Sequence, residues 1–315
     1  MNRDVEFKRL TSRRLPNEEQ VILNEFSNML DICVNFCIDI QLLIEKSGKL
    51  NMKNIPILAT LVHFRDTLDS ISIIVRKGNK SGVSTLLRTL FEASITLQYL
   101  LQAPEKKGVI AYSVGYFRNE LNSLEIFDPQ KKKGKSYLAA KNNDFKNVPG
   151  FKVNAKKVNS CNNDEYIKQL NFFLQQKCFQ EVNNKFEIEK LENNGWDPIW
   201  YKLYNKNYTL RTLAKLVELE SFYELFYSHL SRHQHASDSL SKIELVPGFG
   251  VSLPRIRDYK GMQEEIKWVM TIVQFTFSAT FKSYFIDNEK AYSIWQKNNI
   301  SDFIDRLDNN SSYSK

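Results

Sequence analysis

The sequence predicts an all-α protein, and three observations lead to that class. The chain has only 11 glycines and 8 prolines in 315 residues, about half the usual share of roughly 12% for these two residue types together. Hydrophobic residues make up 42% of the chain, which excludes a disordered protein and is enough for a large core. Long stretches repeat their apolar residues every three or four positions, as one face of a helix does. We therefore expect one bundle-like helical domain over 1–315, with about eight to nine helices.

Helix boundaries follow from capping residues and chain breakers. The first helix starts at Asn17, has two acids in its first turn, and is closed by Ser47-Gly48. Pro56 lies in the first turn of the second, which ends at Lys77-Gly78. The same signals predict further helices over about 81–102, 104–127, 164–191, 209–220, 221–237 and 262–287, then a last helix ending near Leu307 and a polar tail over 308–315. A loop with a short extended piece is expected over 245–251.

Positive charge is concentrated in one segment. Between Gln130 and Asn163 the chain has nine lysines and one acid, so this segment alone accounts for the formal net charge of +8. Without a helical period, 128–163 is predicted to be a basic, mobile surface insertion. One interpretation is an arm that binds the phosphates of RNA or another nucleic acid, and the other is a solvated loop without a specific partner. The lysines assigned to nucleic-acid binding are Lys131, Lys132, Lys133, Lys135, Lys156 and Lys157.

Cysteine usage and hydropathy indicate a cytoplasmic protein. The four cysteines form no CxxC pair and no disulfide framework, which argues against a structural zinc site. The first ten residues lack the apolar run of a secretory signal. The most apolar stretch, Trp268 to Phe281, is shorter than the roughly 20 residues that a membrane span needs. We therefore expect no membrane partner, no cofactor and no metal, whereas a homodimer is compatible with the long helices.

The third helix places a charged pair beside its apolar face. Arg88 and Glu92 lie one turn apart, on a stripe that continues through Ile95 and Tyr99. Because large apolar residues border this stripe, we expect the pair to be partly buried. A semi-buried arginine can bind a phosphate with two hydrogen bonds, and a neighbouring glutamate can orient it. The alternative is a structural ion pair between successive turns.

Three of the four histidines lie within seven residues, in a segment that offers a second polar stripe. His229 and His233 are one turn apart, but His235 points about 120° away on a straight helix, which argues against a three-histidine metal site. His235 instead follows Tyr223, Tyr227 and Ser231 at intervals of four. A neutral histidine is the ordinary acid or base near neutral pH. A Ser231–His235 nucleophile pair lacks the GxSxG elbow, and a hydrogen-bonded polar contact between helices is the structural alternative.

Two segments carry a recognisable pattern. The first is Arg88-Thr-Leu-Phe-Glu92, followed by Leu97-Gln-Tyr-Leu-Leu. The second combines Thr209–Ala214 and Tyr227-Ser-His-Leu-Ser231 with His235-Ala-Ser. This combination, over about 60 to 240, resembles a bacterial helical family catalogued only as a domain of unknown function, family 5677. The resemblance implies an all-helical fold and a bacterial cytoplasmic setting without a settled activity. The family's polar positions correspond to Arg88, Glu92, Tyr227, Ser231 and His235.

Two functions remain open. In the first, the protein is an effector of a defence or toxin system, a metal-independent nuclease or another enzyme with a phosphate substrate. Arg88 would then hold the phosphate, Glu92 would orient it, His235 would act as acid or base, and Tyr227 would donate a hydrogen bond. The Arg232–His235 spacing is too short for the arginine–histidine motif of HEPN-type ribonucleases, so Arg88 and His235 would have to meet from separate helices. In the second, the protein is a non-catalytic binding or dimerisation module, and the same cluster is structural or binds a ligand.

The lysine segment yields a first testable prediction. If it neutralises about five phosphates, the logarithm of the affinity for single strands should fall with the logarithm of the salt concentration, with a slope of roughly −3.5. Changing Lys131, Lys132, Lys133 and Lys135 together to glutamine should make this slope shallower. Titrations of a fluorescent oligonucleotide at several salt concentrations measure both slopes. If the affinity does not depend on salt, or if the lysine changes leave the slope unchanged, the lysine segment does not bind nucleic acid as predicted.

Overall fold

The fold is all-α, as the sequence predicts. A computed structural model of the chain describes residues 14–48, 54–102, 107–128, 130–148, 164–227, 243–246, 250–252, 255–257, 259, 261–285 and 289–309. These residues are predominantly helical, and two short strands, β1 (Glu244–Val246) and β2 (Gly250–Ser252), pair as an antiparallel hairpin. The hairpin lies where the sequence predicts a loop with an extended piece.

The helices are numbered here in chain order. The long ones in the first half are α1 (Asn17–Lys46), α2 (Ile55–Arg76), α3 (Lys80–Gln102) and α4 (Lys107–Phe127). They are followed by α5 (Lys132–Asp144), α6 (Asp164–Gln175), α7 (Lys177–Glu192), a 3-10 turn (Trp200–Lys202) and α8 (Leu210–Leu216). A single turn, α9 (Glu220–Phe222), continues as a π-helix (Tyr223–Tyr227). After the hairpin come α10 (Met262–Tyr284), α11 (Glu289–Gln296), a second π-helix (Lys297–Ser301) and α12 (Asp302–Asn309).

The chain forms two compact units. Unit 1 combines Met1–Pro104 with Leu210–Lys315, and unit 2 is Glu105–Thr209. The single helical domain expected from the sequence stays a prediction. So does the polar tail, of which α12 includes the first two residues and the rest lies outside the described ranges.

The core of unit 1 is built around α3. This helix packs against α2 on one side and α10 on the other, and α1 packs on α2. The apolar face predicted for α3 is buried as expected, with Leu87, Leu90 and Leu97 fully enclosed. Ser94 forms a 2.7 Å hydrogen bond with Thr276 of α10, which satisfies two hydroxyls inside this core. The result is a helix whose backbone is held on two sides.

Helix α1 is the one described helix that is long and apolar enough to cross a membrane by length and composition. Half of its most apolar window is buried inside the protein. A buried serine pair, Ser27 and Ser72, joins it to α2 at 2.9 Å, and Arg76 of α2 pairs with Asp31 at 2.7 Å. These contacts are those of a core helix, and the expected absence of a membrane partner stays a prediction.

Unit 2 places α4 at the centre of a smaller core. Its face around Ala111 and Val114 packs with Phe179 and Phe186 of α7 and with Leu203. Arg118, also on α4, is enclosed, with 6% of its side chain exposed. It donates from Nη2 to Asp197 at 2.7 Å and from Nη1 to Asn183 at 2.7 Å. Burial lowers the pKa of Arg118, but the hydrogen bonds that it donates to Asp197 and Glu187 outweigh that effect and raise the pKa, so the guanidinium stays charged.

One helix predicted by the sequence is two helices in the structure. The expected helix over 164–191 breaks at Gln176, which adopts an extended conformation between α6 and α7 (φ −61°, ψ 138°). The buried residues explain the break, because Leu174 and Phe179 are five positions apart and would diverge by about 140° on a continuous helix. The break turns both side chains toward one core.

The basic insertion was predicted as a loop, and that prediction is wrong for Lys132–Asp144, which is helix α5. Lysine, alanine and leucine favour a helix by intrinsic propensity. Their side chains are mostly exposed and only Gly134 is buried, so no apolar period marked this helix in the sequence. With α5 and the divided helix, the described residues contain more than the eight to nine helices expected.

A stability test follows from the buried ion pair of unit 2. Changing Asp197 to alanine leaves the enclosed Arg118 without its main counter-charge and should lower the free energy of unfolding by about 3 kcal/mol. Glu187 also contacts Arg118, at 2.7 Å, but is 60% exposed. Glu187→Ala should therefore cost less than about 1 kcal/mol. Urea denaturation measures both, and equal losses would contradict a buried anchor at Asp197.

Candidate polar site on helix α3

Arg88 and Glu92 lie one turn apart on α3, at the edge of its buried face. Arg88 Nε donates a 2.9 Å hydrogen bond to Glu92 Oε1, and the two side chains are 20% and 39% exposed. Phe91 and Ile95, which border the pair, are fully buried. The pair is therefore half-buried, as the sequence predicts, and its backbone is fixed by the packing of α3.

Tyr227 contacts this pair from 135 positions further along the chain than Glu92. Its hydroxyl donates to Glu92 Oε1 at 2.9 Å and accepts a short hydrogen bond from Arg88 Nη2. The Arg88 guanidinium carbon lies 4.5 Å from the centre of the Tyr227 ring, which adds a cation–π contact. Arg88, Glu92 and Tyr227 thus form a closed ring of three hydrogen bonds, named here the Arg–Glu–Tyr triad.

Aromatic packing positions Tyr227. Its ring stacks on Tyr223 with 4.5 Å between centroids and 16° between planes. Both tyrosines belong to the π-helix, whose Phe226 is buried and packs against Phe91 at 5.5 Å and Trp268 at 4.9 Å. The wider π-helical turn lets the segment bury Phe226 and still direct Tyr227 to the charged pair. π-helical turns occur frequently at functional sites.

The electrostatics of the triad keep its groups in defined states. Burial lowers the pKa of Arg88, while the hydrogen bond that it donates to Glu92 and the electrostatic attraction of Tyr227 and Glu92 raise the pKa above its ordinary value. Arg88 is therefore a permanent cation. Burial, together with the hydrogen bond to Glu92 and its charge, raises the pKa of Tyr227 from 10.0 to about 12. Tyr227 therefore holds its proton at neutral pH and acts as a donor.

Two of the five predicted polar residues lie outside the described residues. These are Ser231 and His235, and the same holds for His229 and His233. The structure therefore brings together Arg88, Glu92 and Tyr227, and the placement of the other two stays a prediction. Among the described residues no group of three histidine, cysteine, aspartate or glutamate side chains could hold a metal ion.

The predicted phosphate-binding lysines are described in part. Lys131, Lys132, Lys133 and Lys135 lie at the start of α5 and are exposed. Lys133 pairs with Glu125 of α4 at 2.9 Å, which anchors this end of the helix and occupies its ammonium. Lys156 and Lys157 lie outside the described residues.

Sequence reasoning missed a second charged group near the triad. Arg211 of α8 contacts Glu224 at 2.6 Å and Glu220 at 3.6 Å. Glu224 lies within the π-helix, directly after Tyr223. The signal was weak, because Arg211 lies on a short helix without a long apolar period, although it falls within the second family pattern. The Arg118 network of unit 2 was also missed, since its partners are up to 79 positions apart.

Tyr227 gives a test of the triad by pH. Tyr227→Phe should cost at most about 1 kcal/mol at neutral pH, because one hydroxyl with two hydrogen bonds is lost. In the unfolded chain the hydroxyl ionises near its ordinary pKa of 10.0, whereas in the folded chain it ionises near 12. Its contribution to stability is therefore complete below pH 10 and disappears as the pH rises to about 12. Urea denaturation across this interval should show a larger loss for the parent protein than for Tyr227→Phe, and equal losses would contradict the assignment.

Comparison with known proteins identifies the family of the chain. Residues 54–244 match the family of unknown function DUF5677. This range is more than half of the chain and includes α3, α8 and the π-helix, and therefore all three residues of the triad. No curated protein and no solved structure matches the chain. The chain belongs to the DUF5677 family.

Proposed function

We propose that the protein is a metal-independent enzyme that acts on a phosphate ester, with single-stranded RNA as the expected substrate. The observation that supports this proposal is the Arg–Glu–Tyr triad, a half-buried guanidinium oriented by a carboxylate and a tyrosine hydroxyl. Such an arrangement fits an anionic oxygen ligand, because a guanidinium held by packing and hydrogen bonds loses little freedom on binding.

Arg88 binds the phosphate in this proposal. Its side chain is 20% exposed, so an oxygen of the substrate reaches it from solvent while most of the side chain stays packed. Partial burial strengthens the attraction between a guanidinium and a phosphate relative to water. As negative charge builds up on the phosphate oxygens in the transition state, the same contact becomes stronger and lowers the barrier.

Tyr227 donates a hydrogen bond to the substrate in this proposal, and Glu92 positions both of its neighbours. With a pKa of about 12, the Tyr227 hydroxyl is protonated at neutral pH and suits a donor to the substrate oxygen. Glu92 Oε1 accepts from Arg88 and Tyr227 together and fixes their relative position. When substrate binds, the single Tyr227 proton turns from Glu92 to the substrate oxygen and stays on the hydroxyl, while Glu92 keeps its hydrogen bond from Arg88.

The acid–base residue of the proposed reaction is His235, on the strength of its spacing from Tyr227 and Ser231 in the sequence. In this reaction the 2′-hydroxyl oxygen of the RNA forms a bond to the adjacent phosphorus and the bond from phosphorus to the 5′-oxygen breaks; a histidine takes the proton from the 2′-hydroxyl and returns it to the departing 5′-oxygen. The exposed lysines at the start of α5 contribute to recruitment of the RNA by charge.

A non-catalytic helical module is the second candidate function, and one observation favours it. Each member of the triad is a hydrogen-bond partner of the other two. A polar cluster that satisfies itself in this way also serves to fix helix α3 against the π-helix. In that case the protein binds a partner through its helices.

Cleavage of a fluorescent single-stranded RNA in excess chelator tests the enzyme. We expect turnover that His235→Ala and Arg88→Gln each reduce by at least about a hundredfold, a range typical of general acid–base and charge-stabilising groups. If the site is open to solvent, each variant should change the free energy of unfolding by no more than about 1 kcal/mol relative to the parent protein.

The matched control is Arg76→Gln, because Arg76 also forms a half-exposed ion pair in unit 1, with Asp31, away from the triad. Its turnover should equal that of the parent protein. If the parent protein cleaves no RNA or other phosphate ester, or if the triad variants lose stability without any change in turnover, the non-catalytic module is the better description.

A further inference from the structure

Arg211 is a solvent-exposed arginine near the triad in unit 1. It lies on α8, which packs on α3, and its side chain is 57% exposed. Its contacts with Glu224 and Glu220 both use Nη2. Among the described residues none accepts a hydrogen bond from its Nε or Nη1.

Tyr223 connects Arg211 with Arg88. Its ring stacks on Tyr227 of the triad, and its chain neighbour Glu224 contacts Arg211 at 2.6 Å. Burial raises the pKa of Tyr223, and the charges of both Arg88 and Arg211 act on its hydroxyl in the opposite direction. Tyr223 is thus linked to Arg88 through its stacking on Tyr227 and to Arg211 through Glu224, and the helices of the two arginines pack against each other.

We propose that Arg211 is a second phosphate-binding residue of the same site, so that the ligand is a nucleic-acid strand with phosphates at consecutive positions. The argument rests on the proposed function, because Arg88 is taken to hold the first phosphate. A single phosphate satisfies one fork, whereas two arginines separated by a tyrosine suit two anionic groups with a nucleoside between them. The half-buried Tyr223 ring offers that nucleoside an aromatic edge.

The structural alternative for Arg211 is an ion pair that fixes α8 to the π-helix. Lys215 supplies a control for it, since this lysine also lies on α8 and contacts Glu220 at 3.7 Å. Lys215 is 68% exposed and, unlike Arg211, has no contact with Glu224 among the described residues. Removing either positive charge breaks an ion pair with Glu220, but only Arg211 also contacts Glu224, the chain neighbour of Tyr223.

Calorimetric titration with a matched pair of ligands tests the proposal. The ligands are thymidine dinucleotide, with a single phosphate, and its 5′-phosphorylated form, with a second. Neither has a 2′-hydroxyl, so binding is measured without attack by that group. Arg211→Gln should weaken binding of the phosphorylated form about tenfold, as expected for one charge-assisted contact near the surface. Binding of the form with one phosphate should not change.

The outcomes separate the two proposals. Arg88→Gln should weaken the binding of both ligands. If neither ligand binds the parent protein, or if Arg88→Gln changes the affinity for neither, the proposed function fails and the role of Arg211 fails with it. If Arg88→Gln weakens both ligands but Arg211→Gln weakens neither, or weakens both equally, the proposal for Arg211 alone is overturned. An effect of Lys215→Gln equal to that of Arg211→Gln would also overturn it, since a general loss of surface charge then explains both.

Discussion

The packing of α3 between α2 and α10 determines where the polar residues of unit 1 can lie. A helix enclosed on two sides has only a narrow edge for charged side chains, because isolated buried charges are strongly unfavourable. Arg88 and Glu92 occupy that edge, and their neighbours Phe91 and Ile95 are fully buried. The Arg88 guanidinium is therefore attached to a backbone that is held in place by core packing, and its position depends on core residues that do not belong to the triad.

The π-helix at Tyr223–Tyr227 supplies the other half of the site. Its buried Phe226 packs on Phe91 and Trp268, so the same apolar contact joins the segment to α3 and to α10. Tyr227 then reaches Glu92 and Arg88 from the adjoining surface. Hydrophobic burial thus sets the position of the segment, and the hydrogen bonds of the triad set the orientation of one ring.

The two arginine networks of the chain differ in burial, and this difference indicates their roles. Arg118 of unit 2 is enclosed together with Asp197, and five hydrogen bonds join them to each other and to Asn183, Glu187 and Asn122. A buried charge with this many partners fixes the chain after α7 to α4 and offers little to a ligand. The side chain of Arg88 is more exposed than that of Arg118, and the side chain of Arg211 is the most exposed of the three. Solvent exposure therefore increases from Arg118, to which we assign no ligand, to Arg88 and then to Arg211, which we propose to bind phosphate.

The helical class, the ends of α1, α2 and α3, and the half-buried pair Arg88 and Glu92 can all be predicted from the amino-acid sequence. Each depends on contacts a few positions apart, such as caps, glycine stops and the 3.6-residue period, and these can be read locally. Tertiary structure decided the meeting of Tyr227 with a pair about 135 positions away, the break at Gln176 and the ion pair of Arg118 with Asp197. Helix α5 (Lys132–Asp144) escaped the sequence analysis for a different reason, because an exposed lysine helix has no apolar face to reveal it. The contact of Tyr227, the break at Gln176 and the Arg118–Asp197 ion pair are each selected by long-range packing from several conformations that the local sequence allows. A local sequence pattern therefore does not predict them.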